Sequence, residues 1–403
     1  MALAPRRPLR PRRPAPGRRP RRLDPPARAQ PRSETGMSVL ISVLLRGLAG
    51  LCVLTLLAAR PALAATASAP PLAGTLRNAE AWRAYKARFV SEQGRVVDTA
   101  NGGISHSEGQ GYGMLLAVAA GDREAFERIW TWTRANLMVR DDQLIAWRWE
   151  PDKRPAVADM NDASDGDLLV AWALTEAAEA WHEPEHQVAG RRIAVELGRK
   201  LLLPRAPQGP LILPAVAGFS AEDRADGPVV NLSYWVFPAL DRVGLLAPEF
   251  DWRALARSGR RLIAAARFGS QRLPVEWISL SGAAPRPAEG FPAEFGYNAL
   301  RIPLYLAMAG ITEPDLYAPF LALWQKPEAG LALVETGTGR VAARLTETGY
   351  AAIPALAACA SRGAPFPAAL TRVRAESENY YPVTLQLLAL AALNARYPAC
   401  APR

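Results

Sequence analysis

Apolar residues recur every three or four positions along much of this 403-residue chain, the spacing that gathers them on one face of a helix. Ala79-Trp82-Tyr85-Phe89 is one such stripe, Leu168-Ala171-Trp172-Leu174-Ala178-Trp181 a second and Leu385-Leu388-Leu390-Leu393 a third. Strand-like alternation is scarce, and Leu211-Ile212-Leu213 and Val229-Val230 are too short to build a sheet. Pro and Gly cluster between the helical stretches, in Pro204–Gly218 and Gly282–Phe295. The pattern predicts about a dozen helices joined by loops, in a single domain that starts near residue 75. A ring of paired helices with a cleft at one end fits it, and a helical solenoid shares the same periodicity.

The first 64 residues break this pattern. Residues 1–36 are rich in Pro and Arg, with nothing to bury, and read as a disordered or mis-assigned extension. Met37 then opens an apolar run that ends in Ala62-Leu63-Ala64, so residues 37–64 are expected to form a signal peptide, with translation beginning at Met37. A retained membrane anchor over Val39–Ala59 is the alternative, which Arg46 weakens. Residues 65–403 are then the folded domain, exported to the periplasm or beyond.

Charge supports that division. The net charge of +10 suggests a nucleic-acid or membrane-surface partner, yet eleven Arg against Asp24 and Glu34 lie in residues 1–36, and Arg46 and Arg60 follow. What remains is one charge below neutrality, and a nucleic-acid binder would keep a basic stripe on its folded part. Of the three Cys, Cys52 leaves with the signal. Cys359 and Cys400 remain, as a disulfide or as two buried thiols. Three His with no HExxH and no CxxC argue against a zinc enzyme.

Two motifs concentrate chemistry. In Ser105-His106-Ser107-Glu108-Gly109-Gln110-Gly111-Tyr112-Gly113-Met114 a carboxylate heads a glycine-rich helix entry. The plain reading is a helix cap, with Ser105 or Ser107 at the N-cap and Glu108 in the first turn. In Asn161-Asp162-Ala163-Ser164-Asp165-Gly166-Asp167 three acids crowd another helix start. Ser164 or Asp165 as N-cap is again the plain reading, and the EF-hand calcium pattern fails. Three acids exceed what a cap needs, and their repulsion would raise at least one pKa. Carboxyls with separated pKa values are what glycoside hydrolysis uses. Trp130, Trp132, Trp147, Trp149, Tyr234-Trp235, Tyr297 and Tyr380-Tyr381 supply flat faces for sugar rings, with about half of them expected in the core.

These motifs resemble glycoside hydrolase family 8. Ser107-Glu108-Gly109-Gln110-Gly111-Tyr112-Gly113 looks like that family's acid motif. Ala163-Ser164-Asp165-Gly166-Asp167 with Ala171, Ala173-Leu174 and Trp181 looks like its signature. Phe295-Gly296-Tyr297-Asn298-Ala299-Leu300-Arg301 is a third match. The resemblance implies an all-α (α/α)6 barrel and inverting, endo-acting hydrolysis of β-1,4-glucan, without metal or organic cofactor. It further implies a periplasmic role in trimming nascent cellulose beside a cellulose synthase. Glu108 would be the general acid and Asp165 would hold the distorted sugar. Trp147, Tyr234, Trp235, Tyr297, Asn298, Arg301 and Tyr381 would bind substrate. The position matched to the family's base is Asn298, and an amide takes no proton as a carboxylate does. Three readings stand open: a base from the loop Pro285–Phe295, where Glu289 and Glu294 lie; Asp165 as base; or a weakened protein that mainly binds glucan. Chitosan and xylan are alternative polymers for the same chemistry.

Overall fold

In a computed structural model, residues 70–325 and 330–402 are described. The extension and the signal segment expected over residues 1–64 lie outside them. The compact unit spans Thr66–Arg403. Among the described residues the α-helices number eleven: α1 (Ala79–Phe89), α2 (Ser107–Ala120), α3 (Arg123–Asn136), α4 (Ser164–Trp181), α5 (Pro184–Lys200), α6 (Phe237–Leu246), α7 (Trp252–Ala265), α8 (Arg301–Met308), α9 (Pro314–Trp324), α10 (Ala352–Arg362) and α11 (Tyr380–Arg396).

Helix composition separates an inner ring from an outer one. On α7 the buried residues are Trp252, Leu255, Ser258, Gly259, Leu262 and Ile263, while Arg253, Arg257 and Arg261 face solvent, as one apolar stripe dictates. By contrast, α2 buries 12 of its 14 residues, and α8 buries all eight, so these helices have protein on every side. Helix α2 packs on α4, α4 on α6, α6 on α8, α8 on α10, α10 on α11, and α11 returns to α2. The odd-numbered helices α1, α3, α5, α7 and α9 pack outside this ring, and a 3-10 turn at Ala368–Thr371 stands where the alternation calls for a twelfth helix. The architecture is an (α/α)6 barrel. Close approach of α2 and α4 depends on Gly166, where a Cβ would sit 2.0 Å from Ser107 Oγ.

Among the described residues ten short strands decorate the loops: β1 (Ser105–His106), β2 (Arg148–Trp149), β3 (Leu202–Leu203), β4 (Leu211–Ile212), β5 (Val229–Asn231), β6 (Trp277–Ser279), β7 (Arg286–Pro287), β8 (Glu294–Phe295), β9 (Leu331–Glu335) and β10 (Val341–Leu345). They pair as β1-β2, β3-β4, β5-β6-β7 and β10-β9-β8. The two runs judged too short to build a sheet do pair: Leu211–Ile212 with the nearby Leu202–Leu203, and Val229–Asn231 with the distant Trp277–Ser279. The caps also differ from expectation. On α2 the N-cap is His106, not Ser105 or Ser107, and on α4 it is Ala163, with no side-chain capping bond. Among the described residues no helix is long and apolar enough to cross a membrane. Cys359 and Cys400 form a disulfide, tying α10 to the turn Pro398–Cys400.

Candidate active site

The first turns of α2, α4 and α8 bring Glu108, Asp165 and Arg301 together at one end of the barrel. Arg301 is wholly buried, and its Nη1 donates to Asp165 Oδ2 at 2.6 Å and to Glu108 Oε2. Its Nη2 donates to Ser233 Oγ at 3.1 Å and to Asn298 Oδ1 at 2.8 Å. Its guanidinium lies 5.5 Å from the centre of the Tyr234 ring. Arg301 itself stays cationic, since the carboxylates around it outweigh burial.

Glu108 is the carboxyl that retains access to solvent, with its side chain 17% exposed against 1% for Asp165. Burial raises its pKa; Arg301 opposes that rise, and Asp165, as a neighbouring charge and hydrogen-bond partner, adds to it. The net direction is upward, so Glu108 holds its proton to higher pH than a free glutamic acid. The other two acids of the second motif do different work. Asp162 accepts from Val216 N–H at 2.8 Å and Asp167 from Ile145 N–H at 2.9 Å, each pinning a neighbouring loop. Burial raises the pKa of both.

Asn298 extends the network to a residue the sequence motifs do not contain. Its backbone N–H donates to Glu276 Oε1 at 2.5 Å, and its Nδ2 donates to Glu276 Oε2 at 3.0 Å. A relay therefore runs from Glu108 through the Arg301 guanidinium and the Asn298 amide to Glu276. Gly296 lies against it: a Cβ there would sit 2.7 Å from Glu276 Oε1 and push that carboxylate out of its place. One signal for Glu276 was present: it is a lone carboxylate inside the apolar run Leu273-Pro274-Val275-Glu276-Trp277-Ile278.

The two loop acids separate. Glu294 stays near, its backbone carbonyl accepting from Glu276 N–H at 3.0 Å and its Oε1 lying 3.3 Å from the same Gly296 Cβ position. Glu289 is exposed and linked through its backbone, whose N–H donates to Asp226 at 2.8 Å and whose carbonyl accepts from Arg224 at 2.6 Å. Among the described residues, the hydrogen bonds of Glu289 run through its backbone to Arg224 and Asp226 and not to the relay.

Among the aromatic candidates, Tyr297, Tyr350 and Tyr381 form a cluster with ring centres 6.1–6.4 Å apart, and Tyr297 is 51% exposed. Tyr350 carries no motif and was missed. Trp147 is partly exposed and donates through Nε1 to Asp159 at 2.8 Å. Trp235 is a correction: it is fully buried, its Nε1 donating to Leu255 O at 3.0 Å, with its ring against Gly259. It turns into the α6–α7 packing and offers no face to a ligand. Trp130 and Trp132 are likewise core. Among the described residues no group of His, Cys, Asp and Glu is arranged to hold a metal ion.

The family described as "Glycosyl hydrolases family 8" matches residues 48–394. A probable endoglucanase of Novacetimonas hansenii is 40% identical over 250 residues, 61% of this chain and 71% of the relative. An endoglucanase of Cellulomonas uda is 37% identical over 246 residues, 61% and 66% of the two chains. The structure of an endo-β-1,4-glucanase from Acetobacter xylinum superposes with a TM-score of 0.71 at 34% identity, covering 80% of this chain and 98% of that one. A family 8 endoglucanase from Klebsiella pneumoniae gives a TM-score of 0.69 at 34% identity, covering 78% and 99%.

Proposed function

The chain belongs to glycosyl hydrolase family 8, and from that premise we infer that it cuts β-1,4-glucosidic bonds within a cellulose-like glucan, with inversion, using Glu108 as general acid and Glu276 as general base. The observation that carries this reading is the relay Glu108–Arg301–Asn298–Glu276. An inverting site needs its two carboxyls about 6.5–9.5 Å apart, so that a water fits on the far face of the sugar. A guanidinium and an amide between two carboxyls are compatible with that spacing. Asn298 then replaces the base's carboxylate with a group that holds another carboxylate in place.

The step balances with water alone. Glu108 gives its proton to the glycosidic oxygen as the bond to the anomeric carbon breaks. Water attacks that carbon from the opposite face, and Glu276 takes the water's proton. Asp165, fixed by Arg301, sits beside the acid and is suited to hold the sugar next to the cleaved bond. Tyr297, exposed beside this centre, offers a ring face for a glucose unit, with Tyr381 behind it and Trp147 a further partly exposed ring.

Export is part of the proposal. The Cys359–Cys400 disulfide supports an oxidising compartment, which agrees with a signal peptide over residues 37–64. A role in trimming nascent cellulose beside a synthase rests on motif resemblance. Reducing-end release from carboxymethyl-cellulose tests the chemistry. Wild type should cut, and Glu108→Gln should lose roughly two or more orders of magnitude. If wild type releases nothing from this polymer, chitosan or xylan, the hydrolase reading falls and a glucan-binding role replaces it.

A further inference from the structure

We propose that His106, held by Asp98, is a positioning residue for Glu108: as a neutral ring it caps the turn that carries the acid, and as a cation it releases that cap and sets a positive charge beside it. The inference rests on Glu108 being the general acid.

The geometry assigns the ring's state. His106 is the N-cap of α2 in extended conformation, with φ −139° and ψ 157°. Its Nδ1 accepts from Gly109 N–H at 3.0 Å, so Nδ1 bears no hydrogen in this arrangement. The hydrogen of the neutral ring is then on Nε2, which lies 3.5 Å from Asp98 Oδ2. Asp98 is fixed in turn, because its Oδ1 accepts from Ala100 N–H at 3.1 Å and its backbone N–H donates to Ile104 O at 2.9 Å. The Tyr380 ring closes the other side edge-on, 6.0 Å away. Capping by imidazole places the acid, two residues on, in the first turn of a helix whose start is held by a titratable group.

Protonation changes both roles together. The groups facing the ring are Asp98 on its own loop, Glu108 on α2, Asp165 on α4 and Tyr380 on α11; Arg148, opposite on β2, is neutralised by Glu150. Burial opposes a charge on His106, but the Asp98 hydrogen bond and the carboxylates Glu108, Asp98 and Asp165 outweigh it and raise the pKa. A proton on Nδ1 turns the acceptor into a donor facing Gly109 N–H, so the cap opens. The cation left beside Glu108 favours its ionised form, which is the form unable to act as acid.

Two variants and one spectroscopic readout test this. His106→Ala should lower kcat about tenfold with KM within about twofold, as misplacement of a catalytic group does. His106→Asn keeps a capping acceptor and should recover most of kcat. Because its amide does not titrate, it should keep its cap where the wild-type ring takes up a proton, and so move the acid limb of kcat against pH downward by about half a unit. Nitrogen NMR of the wild-type imidazoles, with His182 and His186 as internal references, should show His106 with a bare Nδ1 above its titration and a protonated Nδ1 below it. An unchanged kcat in His106→Ala, a wild-type acid limb in His106→Asn, or a neutral ring protonated on Nδ1 overturns the proposal. Loss of the hydrolase reading itself would show as an inactive wild type, and the NMR result would still decide the cap.

Discussion

Replacing Arg301 by Met removes the one cation between Glu108 and Asp165 while filling most of its volume. In the wild type each carboxyl contacts Nη1, and Arg301 has no exposed surface. The variant leaves Asp165 buried beside Glu108 without the guanidinium that bonds both carboxyls. Breaking a buried pair in this way costs about 3–5 kcal/mol. Protonating one carboxyl relieves part of that cost, because burial raises the pKa of an unpaired acid above its unfolded value. The sign follows: stability gained from the protonated form is present at low pH and is lost as pH rises through the raised folded pKa. The destabilisation relative to wild type should therefore be smaller at pH 5 than at pH 8, by about 1.4 kcal/mol for each unit by which the raised pKa exceeds about 5. Urea unfolding followed by tryptophan fluorescence at both pH values measures it. A loss under about 1 kcal/mol, or one equal at the two pH values, would refute the claim that Arg301 neutralises a buried acid pair.

Three further outcomes follow from the same structure. The kcat profile should fall on its alkaline side as Glu108 loses its proton, with that limb above the ordinary carboxyl range because burial and Asp165 raise the Glu108 pKa; a limb at the pH of a free carboxyl contradicts this. Tyr297→Ala should raise KM for cello-oligosaccharides several-fold with little change in melting temperature, whereas Trp235→Ala should cost about 3–5 kcal/mol of stability; a KM effect from Trp235→Phe in a stably folded protein would reverse the assignment. Cys359→Ser should remove about 4 kcal/mol, from closure of a loop spanning a sequence separation of 41 residues, and equal stability of the oxidised and reduced wild type would count against it.

Much of the barrel was legible because helix burial is periodic and local. The stripes Trp82-Tyr85-Phe89 and Leu168–Trp181 fall on α1 and α4. Glu108, Asp165 and Arg301 were legible because each heads a helix within a long motif. Glu276 was not, since it joins Asn298 across a sequence separation of 22 that holds β6, β7 and β8, and no periodicity links that carboxylate to the amide it holds. Trp235 illustrates the opposite failure. Adjacent to Tyr234, it looked equally suited to a sugar, but the short 3-10 turn Leu232–Tyr234 aims the two rings in different directions. The choice of His106 over Ser105 or Ser107 as cap depends on the extended backbone at His106, which aims its ring at Gly109 N–H.

The central claim is that Glu276, held by Asn298, is the base. Its most direct test is kcat on a soluble cello-oligosaccharide for Glu276→Gln beside Glu294→Gln and Glu289→Gln, with folding checked by melting temperature. The account predicts a loss of about two to four orders of magnitude for Glu276→Gln, and less than about tenfold for the other two. A near-wild-type Glu276→Gln, with the large loss at Glu294 or Glu289 instead, would contradict it.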